Sequence, residues 1–201
     1  MAVLSTGGAV LLPWREQVDS ILLMYLGGQN SGSAVADLLL GKANPCGKLA
    51  ETWPLALEDT PCHGFFGNGG NVEYRESVYV GYRYYDKARK EVAYPFGHGL
   101  SYTEFEYTNL TLSSQELDEG GSLTIQVTVK NTGARAGKEV VQLYVAPPAG
   151  GMFRPVRELR AYSKVELAPG ESSTVELTLD RRAFAYYDAQ AGDWRVDSGT
   201  Y

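Results

Sequence analysis

Residues 123–130 read Leu-Thr-Ile-Gln-Val-Thr-Val-Lys, an unbroken alternation of apolar and polar side chains. Successive side chains of a β-strand point to opposite faces of a sheet, so this stretch predicts a strand with one buried and one solvated face. We expect Leu123, Ile125, Val127 and Val129 to form the inward face.

Six more segments with a β pattern surround this strand. They begin at Phe105, Val141, Leu159, Val175, Phe184 and Trp194, and turns such as Asn131-Thr132-Gly133 and Pro169-Gly170 separate them. We expect Pro169-Gly170 to be a hairpin turn. Short strands at intervals of about 8–12 residues, with Gly and Pro between them, are typical of a β-sandwich of the fibronectin-III or immunoglobulin type. The sequence therefore predicts an all-β sandwich over residues 103–201.

The first half of the chain has a different rhythm. Apolar runs predict strands at Ala9–Leu12, Ile21–Leu26 and Leu49–Trp53, with a helix opening at Pro13 and a second helix over Ala34–Leu40 that Ser33 caps. This is an α/β pattern with too few strands for an independent open sheet. Residues 1–57 are therefore interpreted as the C-terminal part of an α/β domain, a remnant of a three-layer sandwich, which makes the overall fold class α+β.

A Gly- and Tyr-rich segment, residues 58–102, connects the two parts. Its stretch Val72–Asp86 is expected to be extended and could include a helical turn. The incomplete sheet before it would expose an unpaired edge, so we also predict a homodimer formed through the first 55 residues or so.

Composition excludes several classes of protein. The formal net charge of -6 argues against a nucleic-acid partner, and no apolar run approaches the ~20 residues of a membrane span. Met1 to Pro13 lacks the basic start of a signal peptide, and although Asn109-Leu110-Thr111 is a glycosylation sequon, the cytoplasm is the favoured location.

Two cysteines are too few for a disulfide scaffold. Free thiols at Cys46 and Cys62 are favoured over a bridge between them. Together with His63 and His98 their spacing fits no usual zinc pattern, so no metal and no cofactor is expected.

Four groups of motifs, in order along the chain, carry a resemblance to a known family. They are Leu12-Pro13-Trp14 with Gly27-Gly28-Gln29-Asn30-Ser31-Gly32-Ser33-Ala34; Gly41-Lys42-Ala43-Asn44-Pro45-Cys46-Gly47-Lys48-Leu49; Tyr74-Arg75-Glu76 with Val80-Gly81-Tyr82-Arg83-Tyr84-Tyr85-Asp86; and Pro95-Phe96-Gly97-His98-Gly99-Leu100-Ser101-Tyr102-Thr103 with Val129-Lys130-Asn131-Thr132-Gly133 and Glu139-Val140-Val141-Gln142-Leu143-Tyr144. In this order they resemble the C-terminal region of glycoside hydrolase family 3, which contains β-glucosidases and β-xylosidases.

The resemblance implies that the catalytic residues lie outside this chain. Family members place a TIM-like barrel first, then an α/β sandwich, then a fibronectin-III-like domain. The nucleophile is an Asp of the barrel, and the acid/base is a Glu upstream of the stretch that begins at Gly27. Both catalytic carboxylates would then be absent here, and the barrel would be this chain's main partner. Some members are circularly permuted, so the segment could also stand at a native N-terminus.

Few residues remain as candidates for chemistry within the chain. Retaining glycoside hydrolysis needs two carboxyl groups ~5–5.5 Å apart, and Glu51, Glu73, Glu76 and Asp86 are the acids near the motifs. Glu76 is the first to consider, although an ion pair with Arg75 or Arg83 is the simpler explanation. His98, between two glycines, is interpreted as a hydrogen-bonding loop residue rather than a catalyst.

The tyrosines of the third motif offer a different function. Tyr82, Tyr84 and Tyr85 could stack on sugar rings, although strand alternation would turn Tyr85 away from its neighbours. The alternatives to a non-catalytic portion of a family 3 enzyme are therefore a freestanding carbohydrate-binding module and a structural interaction module.

Overall fold

A computed structural model describes residues 1–67, 69–118 and 120–201. The chain divides into two units, Met1–Leu100 and Ser101–Tyr201. The first mixes helices with short strands and the second is built from strands, so the fold class is α+β, as the sequence predicted.

In residues 1–67 and 69–100, the first unit contains two short helices and two separate pairs of strands. Its elements are β1 (Ala2–Leu4), β2 (Ile21–Leu23), α1 (Ser31–Leu39), β3 (Trp53–Pro54), α2 (Tyr82–Ala88) and β4 (Val92–Tyr94), with 3₁₀ turns at Arg15–Gln17 and Leu57–Asp59. Strands β1 and β2 are parallel, with Ala2 opposite Ile21 and Leu4 opposite Leu23. Strands β3 and β4 are antiparallel.

The start of the chain differs from the expected pattern. Ala2–Leu4, not Ala9–Leu12, pairs with β2, and the helix expected after Pro13 is a single 3₁₀ turn. Of the run Ala9–Leu12 only Leu12 is buried, while Val10 and Leu11 stay exposed. A short apolar run is ambiguous by itself, because the partner strand decides whether it becomes a strand.

The helix boundaries also moved. Helix α1 starts at Ser31 behind Asn30, so Ser33 lies inside the helix and is not its cap. Helix α2 occupies the last part, residues 82–86, of the segment expected to be extended at Val72–Asp86. It begins after Gly81, whose φ of 55° suits a glycine, and ends at Arg89 in the left-handed conformation.

The described part of the second unit, residues 101–118 and 120–201, contains seven strands, as the sequence predicted. They are β5 (Phe105–Leu112), β6 (Leu123–Asn131), β7 (Gly137–Val145), β8 (Glu158–Leu167), β9 (Ser172–Leu179), β10 (Tyr186–Asp188) and β11 (Asp193–Arg195). One sheet has the order β5-β6-β9, a second sheet consists of β7 and β8, and β10 pairs with β11. All neighbours are antiparallel.

The core of this unit lies between the two larger sheets. Val129 on β6, Val141 on β7 and Leu167 on β8 belong to one cluster of buried side chains, with Val127 packed against it. Ile125 anchors a second cluster, against which Leu123 packs. The alternation in residues 123–130 is therefore confirmed, and its apolar members face the core.

The turn at Pro169-Gly170 connects two sheets instead of two strands of one hairpin. It leads from β8, which pairs with β7, to β9, which pairs with β6. Gly170 has a φ of 76°, which suits a glycine. The sequence identified the turn correctly but not its topology, because turn chemistry specifies a reversal of the chain and not the sheet of the next strand.

Asn131, at the end of β6, is fully buried and joins separate stretches of the sandwich. Its Oδ1 accepts from Thr103 Oγ1 at 2.7 Å and from the Gly133 amide at 3.1 Å. Its Nδ2 donates to the carbonyls of Arg135 at 2.7 Å and Leu167 at 3.0 Å. Both ends of the amide are thus satisfied, as a buried polar group requires.

Neither helix within the described ranges is long and apolar enough to cross a membrane.

Candidate functional site

The second, third and fourth motif groups meet in the first unit, around the turn at residues 95–99. The Leu49 amide donates to the His98 carbonyl and the Gly97 amide to the Leu49 carbonyl, both at 2.8 Å. Lys48 Nζ donates to the Gly99 carbonyl, also at 2.8 Å. These bonds extend the contact between β3 and β4 beyond the paired strands.

Gly99 has a packing reason to be glycine. A Cβ at this position would lie 2.2 Å from the Gly47 carbonyl oxygen, which no real side chain tolerates. Gly133 in the second unit is similar, since a Cβ there would lie 2.3 Å from Thr103 Oγ1. At these positions the motifs allow close approach of backbone segments.

Aromatic pairs hold α2 and the turn together. The rings of Tyr82 and Phe96 stack with centroids 4.8 Å apart, and Tyr94 stacks on His98 at 5.3 Å. Burial lowers the pKa of His98, and the nearby Lys48 lowers it further. The imidazole is therefore favoured in its neutral form, held between a ring and a peptide turn.

The three tyrosines proposed for sugar stacking lie on one helix rather than on a strand. Tyr85 is only 6% exposed, and Tyr84 meets its ring edge-on at 5.2 Å. Tyr82 is half-buried against Phe96. A sugar would reach Tyr85 only if α2 moved, so any binding here would fall to Tyr82 and Tyr84.

The acidic candidates have mostly structural surroundings. Arg75 forms an ion pair with Glu73, and its guanidinium lies 4.3 Å from the centre of the Phe65 ring. The expected pairing of Glu76 with Arg75 or Arg83 stays a prediction. Glu76 is half-buried. Arg75 thus pairs with the acid two residues before it. Adjacency in the sequence does not reveal which of the neighbouring acids it selects.

A polar cluster that the sequence did not indicate lies after β2. Tyr25 has a φ of 47°, unusual for a residue with a side chain. Its Oη and the Nε1 of Trp53, which is 2% exposed, are buried and have no hydrogen-bond partner among the described residues. Burial raises the pKa of Tyr25, and the charge of Glu51 adds to that effect.

This cluster stands where ligands of α/β sheets usually bind. Tyr25 follows β2, and Ser5, which follows β1, donates to the Tyr25 carbonyl at 3.0 Å. Both residues therefore lie at the carboxyl ends of parallel strands, where α/β sheets bind their ligands. Two donors beside one carboxylate suit a hydroxyl group or a water molecule. Only Glu51 had a sequence signal, as one of the candidate acids.

An open cleft of about 490 Å³ lies in the second unit beside β8 and β9. Arg160 and Arg182 line it together with Asp180. Glu158 already accepts from Arg160 Nη2 at 2.6 Å, and Arg182 lies 3.0 Å from the centre of the Trp194 ring. Because Arg160 Nη2 and the Arg182 guanidinium already have partners, the cleft does not indicate a particular ligand.

No group of three potential metal ligands occurs in residues 1–67, 69–118 and 120–201. Cys46 and Cys62 are free thiols.

Comparison with known proteins gives matches over the whole chain. Residues 1–102 match the glycosyl hydrolase family 3 C-terminal domain, and residues 139–201 match a fibronectin type III-like domain. The thermostable beta-glucosidase B of Acetivibrio thermocellus is 48% identical over an alignment of 202 positions, which covers 100% of this chain and 27% of that protein.

Solved structures agree in fold. A beta-glucosidase from Kluyveromyces marxianus in complex with glucose superposes with a TM-score of 0.91 at 41% identity, over 98% of this chain and 24% of its own. A family 3 beta-glucosidase from Bifidobacterium adolescentis superposes with a TM-score of 0.92 at 42% identity, over 98% of this chain and 29% of its own. The chain thus spans about a quarter of the length of these relatives and matches their C-terminal part. It belongs to glycosyl hydrolase family 3.

Proposed function

We propose that this chain is the non-catalytic C-terminal portion of a β-glucosidase that works by a retaining mechanism. The observation that carries the proposal is the 48% identity to a beta-glucosidase along the whole chain, supported by superposition on a relative in complex with glucose. In this proposal the chain completes the fold of the parent enzyme, and the catalytic carboxylates belong to its other parts.

The environment of the acidic side chains supports a scaffolding role. Asp59 accepts from Lys90 at 2.8 Å, Glu73 pairs with Arg75, and Glu158 bridges Arg154 and Arg160. The hydrogen bond from Lys90 lowers the pKa of Asp59, so this carboxyl is suited to structure and not to proton donation near neutral pH.

An activity assay tests the proposal directly. We expect the isolated chain to leave aryl β-glucosides unhydrolysed above the buffer rate. Joined to the N-terminal three quarters of the Acetivibrio thermocellus relative, in place of that protein's own C-terminal quarter, it should support hydrolysis. Turnover by the isolated chain that disappears in Glu76→Gln would instead make Glu76 a catalytic residue and refute the proposal.

Carbohydrate binding by Tyr82, Tyr84 and Tyr85 stays a second prediction, in which the buried Tyr85 would contribute only if α2 moved. The partial exposure of Tyr82 and Tyr84 is the observation in its favour. Calorimetric titration with glucose and short β-glucans should show binding that Tyr84→Ala weakens and Tyr162→Ala, an exposed residue of the second unit, does not. An identical response of both variants, or no binding at all, would remove this function.

A further inference from the structure

Exposed apolar side chains concentrate in the loop between the 3₁₀ turn Leu57–Asp59 and α2. We call residues 62–67 and 69–80 the apolar arm. Its large exposed side chains are Phe65, Phe66, Val72, Tyr74, Val78 and Val80. Phe66 is 85% exposed and Tyr74 is 88% exposed.

The amount of exposed apolar surface is too large to be incidental. An aromatic side chain has on the order of 150–250 Å² to bury, so Phe66 and Tyr74 alone present roughly 300 Å² to solvent. Scattered single apolar residues are normal on a protein surface. A concentration of this size within one loop marks an interaction site.

The arm has internal contacts that give it a defined shape. The amides of Phe65 and Phe66 both donate to the Cys62 carbonyl at 3.1 Å, and the Tyr79 amide donates to the Glu76 carbonyl at 2.9 Å. Arg75 lies over the Phe65 ring and pairs with Glu73, which joins the first part of the arm to the second. The charges of Arg75 and Glu73 therefore compensate each other within the arm.

We propose that the apolar arm docks onto an apolar surface of the parent enzyme that lies outside this chain. The relatives supply the reason for choosing this occupant, because about three quarters of their length has no counterpart here. An arm with largely exposed Phe66 and Tyr74 rings, in which Arg75 is already paired with Glu73, fits a surface of apolar side chains. This inference rests on the proposed function, since it assumes the same parent.

The test compares the arm in two settings. The double variant Phe66→Ser/Tyr74→Ser is prepared in the isolated chain and in the chain joined to the N-terminal part of the Acetivibrio thermocellus relative. Tyr162→Ser is the control, because Tyr162 is another exposed aromatic residue but lies on β8. Melting temperature, amide hydrogen exchange of residues 65–80 and aryl β-glucoside hydrolysis are the measurements.

The expected result is a difference between the two settings. In the isolated chain the double variant should melt with the wild type, since both side chains are already in solvent. In the joined enzyme it should lower the melting temperature by several degrees, while Tyr162→Ser does not, and residues 65–80 should exchange more slowly there than in the isolated chain.

The opposite results overturn the proposal. Equal melting temperatures for the double variant and the control in the joined enzyme, or equally fast exchange in both settings, would show that nothing covers the arm. Loss of self-association of the isolated chain in the double variant, with no effect in the joined enzyme, would assign the arm to a second copy and also refute the proposal.

The two proposals can fail separately. A joined enzyme that folds but does not hydrolyse the substrate refutes the proposed function, whereas its melting temperatures still test the arm. If the joined enzyme does not fold, the same substitutions at the aligned positions of the full-length relative give the answer, with the same two outcomes.

Discussion

At the residue scale, the motifs that carry the family resemblance have packing roles. The missing side chains of Gly99 and Gly133 leave room for the Gly47 carbonyl and for Thr103. The Asn131 side chain forms hydrogen bonds with four partners. A buried amide of this kind leaves several groups unsatisfied when it is removed. The motif around Asn131 is thus explained by the stability of the sandwich, without a role in binding.

Asn131→Ala should destabilise the chain strongly. Thr103 Oγ1, the Gly133 amide and two carbonyls would lose their partner in a site without solvent, and we expect a loss of about 2–5 kcal/mol in the free energy of unfolding. Lys130→Ala, at the exposed neighbouring position, should change it by less than about 0.5 kcal/mol. Urea unfolding measures both, and equal midpoints for the two variants would contradict the role given to Asn131.

His98 should make the first unit sensitive to mild acid. Its folded-state pKa lies below the ordinary 6.5, chiefly because of burial, so the neutral imidazole is the form that stabilises the fold. That contribution is complete above pH ~6.5 and declines as the pH falls through the lowered folded pKa. Asp59, whose pKa is also lowered, loses its contribution only below its ordinary 3.8.

The two histidines of the chain form a matched pair for this experiment. Thermal melts between pH 7.5 and 5 should show a smaller acid-induced loss of stability in His98→Gln than in the wild type. His63→Gln, at an exposed position, should follow the wild type. If the melting temperature of His98→Gln fell with pH as steeply as that of the wild type, the pH dependence would belong to other groups.

At the scale of elements, the sequence predicted the second unit far better than the first. Residues 123–130 alternate because antiparallel strands of a sandwich have one face in the core, and that signal lies within the strand itself. The parallel pair β1 and β2 has only three residues in each strand, so neither carries enough of a pattern. Tyrosines favour strands by propensity. Those of α2 are nevertheless helical, because Gly81 precedes the helix in a conformation that suits glycine and Tyr82 packs on Phe96.

The candidate site was predictable only as a region. The third motif group supplied the candidates Glu76, Tyr82, Tyr84 and Tyr85, and the structure brings the turn that follows, residues 95–99, against residues 47–52. The Tyr25 and Trp53 cluster had no signal, because burial without a partner is a property of the fold and not of local sequence. The pairing of Arg75 with Glu73 is likewise a choice among neighbours that only geometry decides.

Val127→Asp tests the register of β6. Val127 packs against the buried cluster around Val129, so a carboxylate there would be desolvated without a partner and should cost about 2–4 kcal/mol. Lys130→Asp places the same charge on the exposed side of the strand and should have a small effect. Melting temperatures compare the two, and a wild-type value for Val127→Asp would mean that the inward face has been misassigned.

At the scale of the whole molecule, the two units differ in how completely their strands are paired. The second unit has two larger sheets packed over its own core. In the first unit, β1 and β2 pair only with each other within the described part of the chain. A parallel sheet normally has more than two strands and both faces covered. The outer edges of this pair are therefore open to pairing with further strands.

We therefore expect the isolated chain to self-associate at micromolar concentration through the β1 and β2 region. A second copy can supply the missing edge, since identical edges pair readily about a twofold axis. Val3→Lys should weaken the association, because Val3 is partly exposed on β1 and a lysine there opposes edge pairing. Leu57→Lys, an exposed position in a 3₁₀ turn, should leave it unchanged. Sedimentation velocity over a concentration series measures the effect. A monomer at all concentrations, with slow hydrogen exchange at residues 21–26, would show that the two strands are stable without a partner.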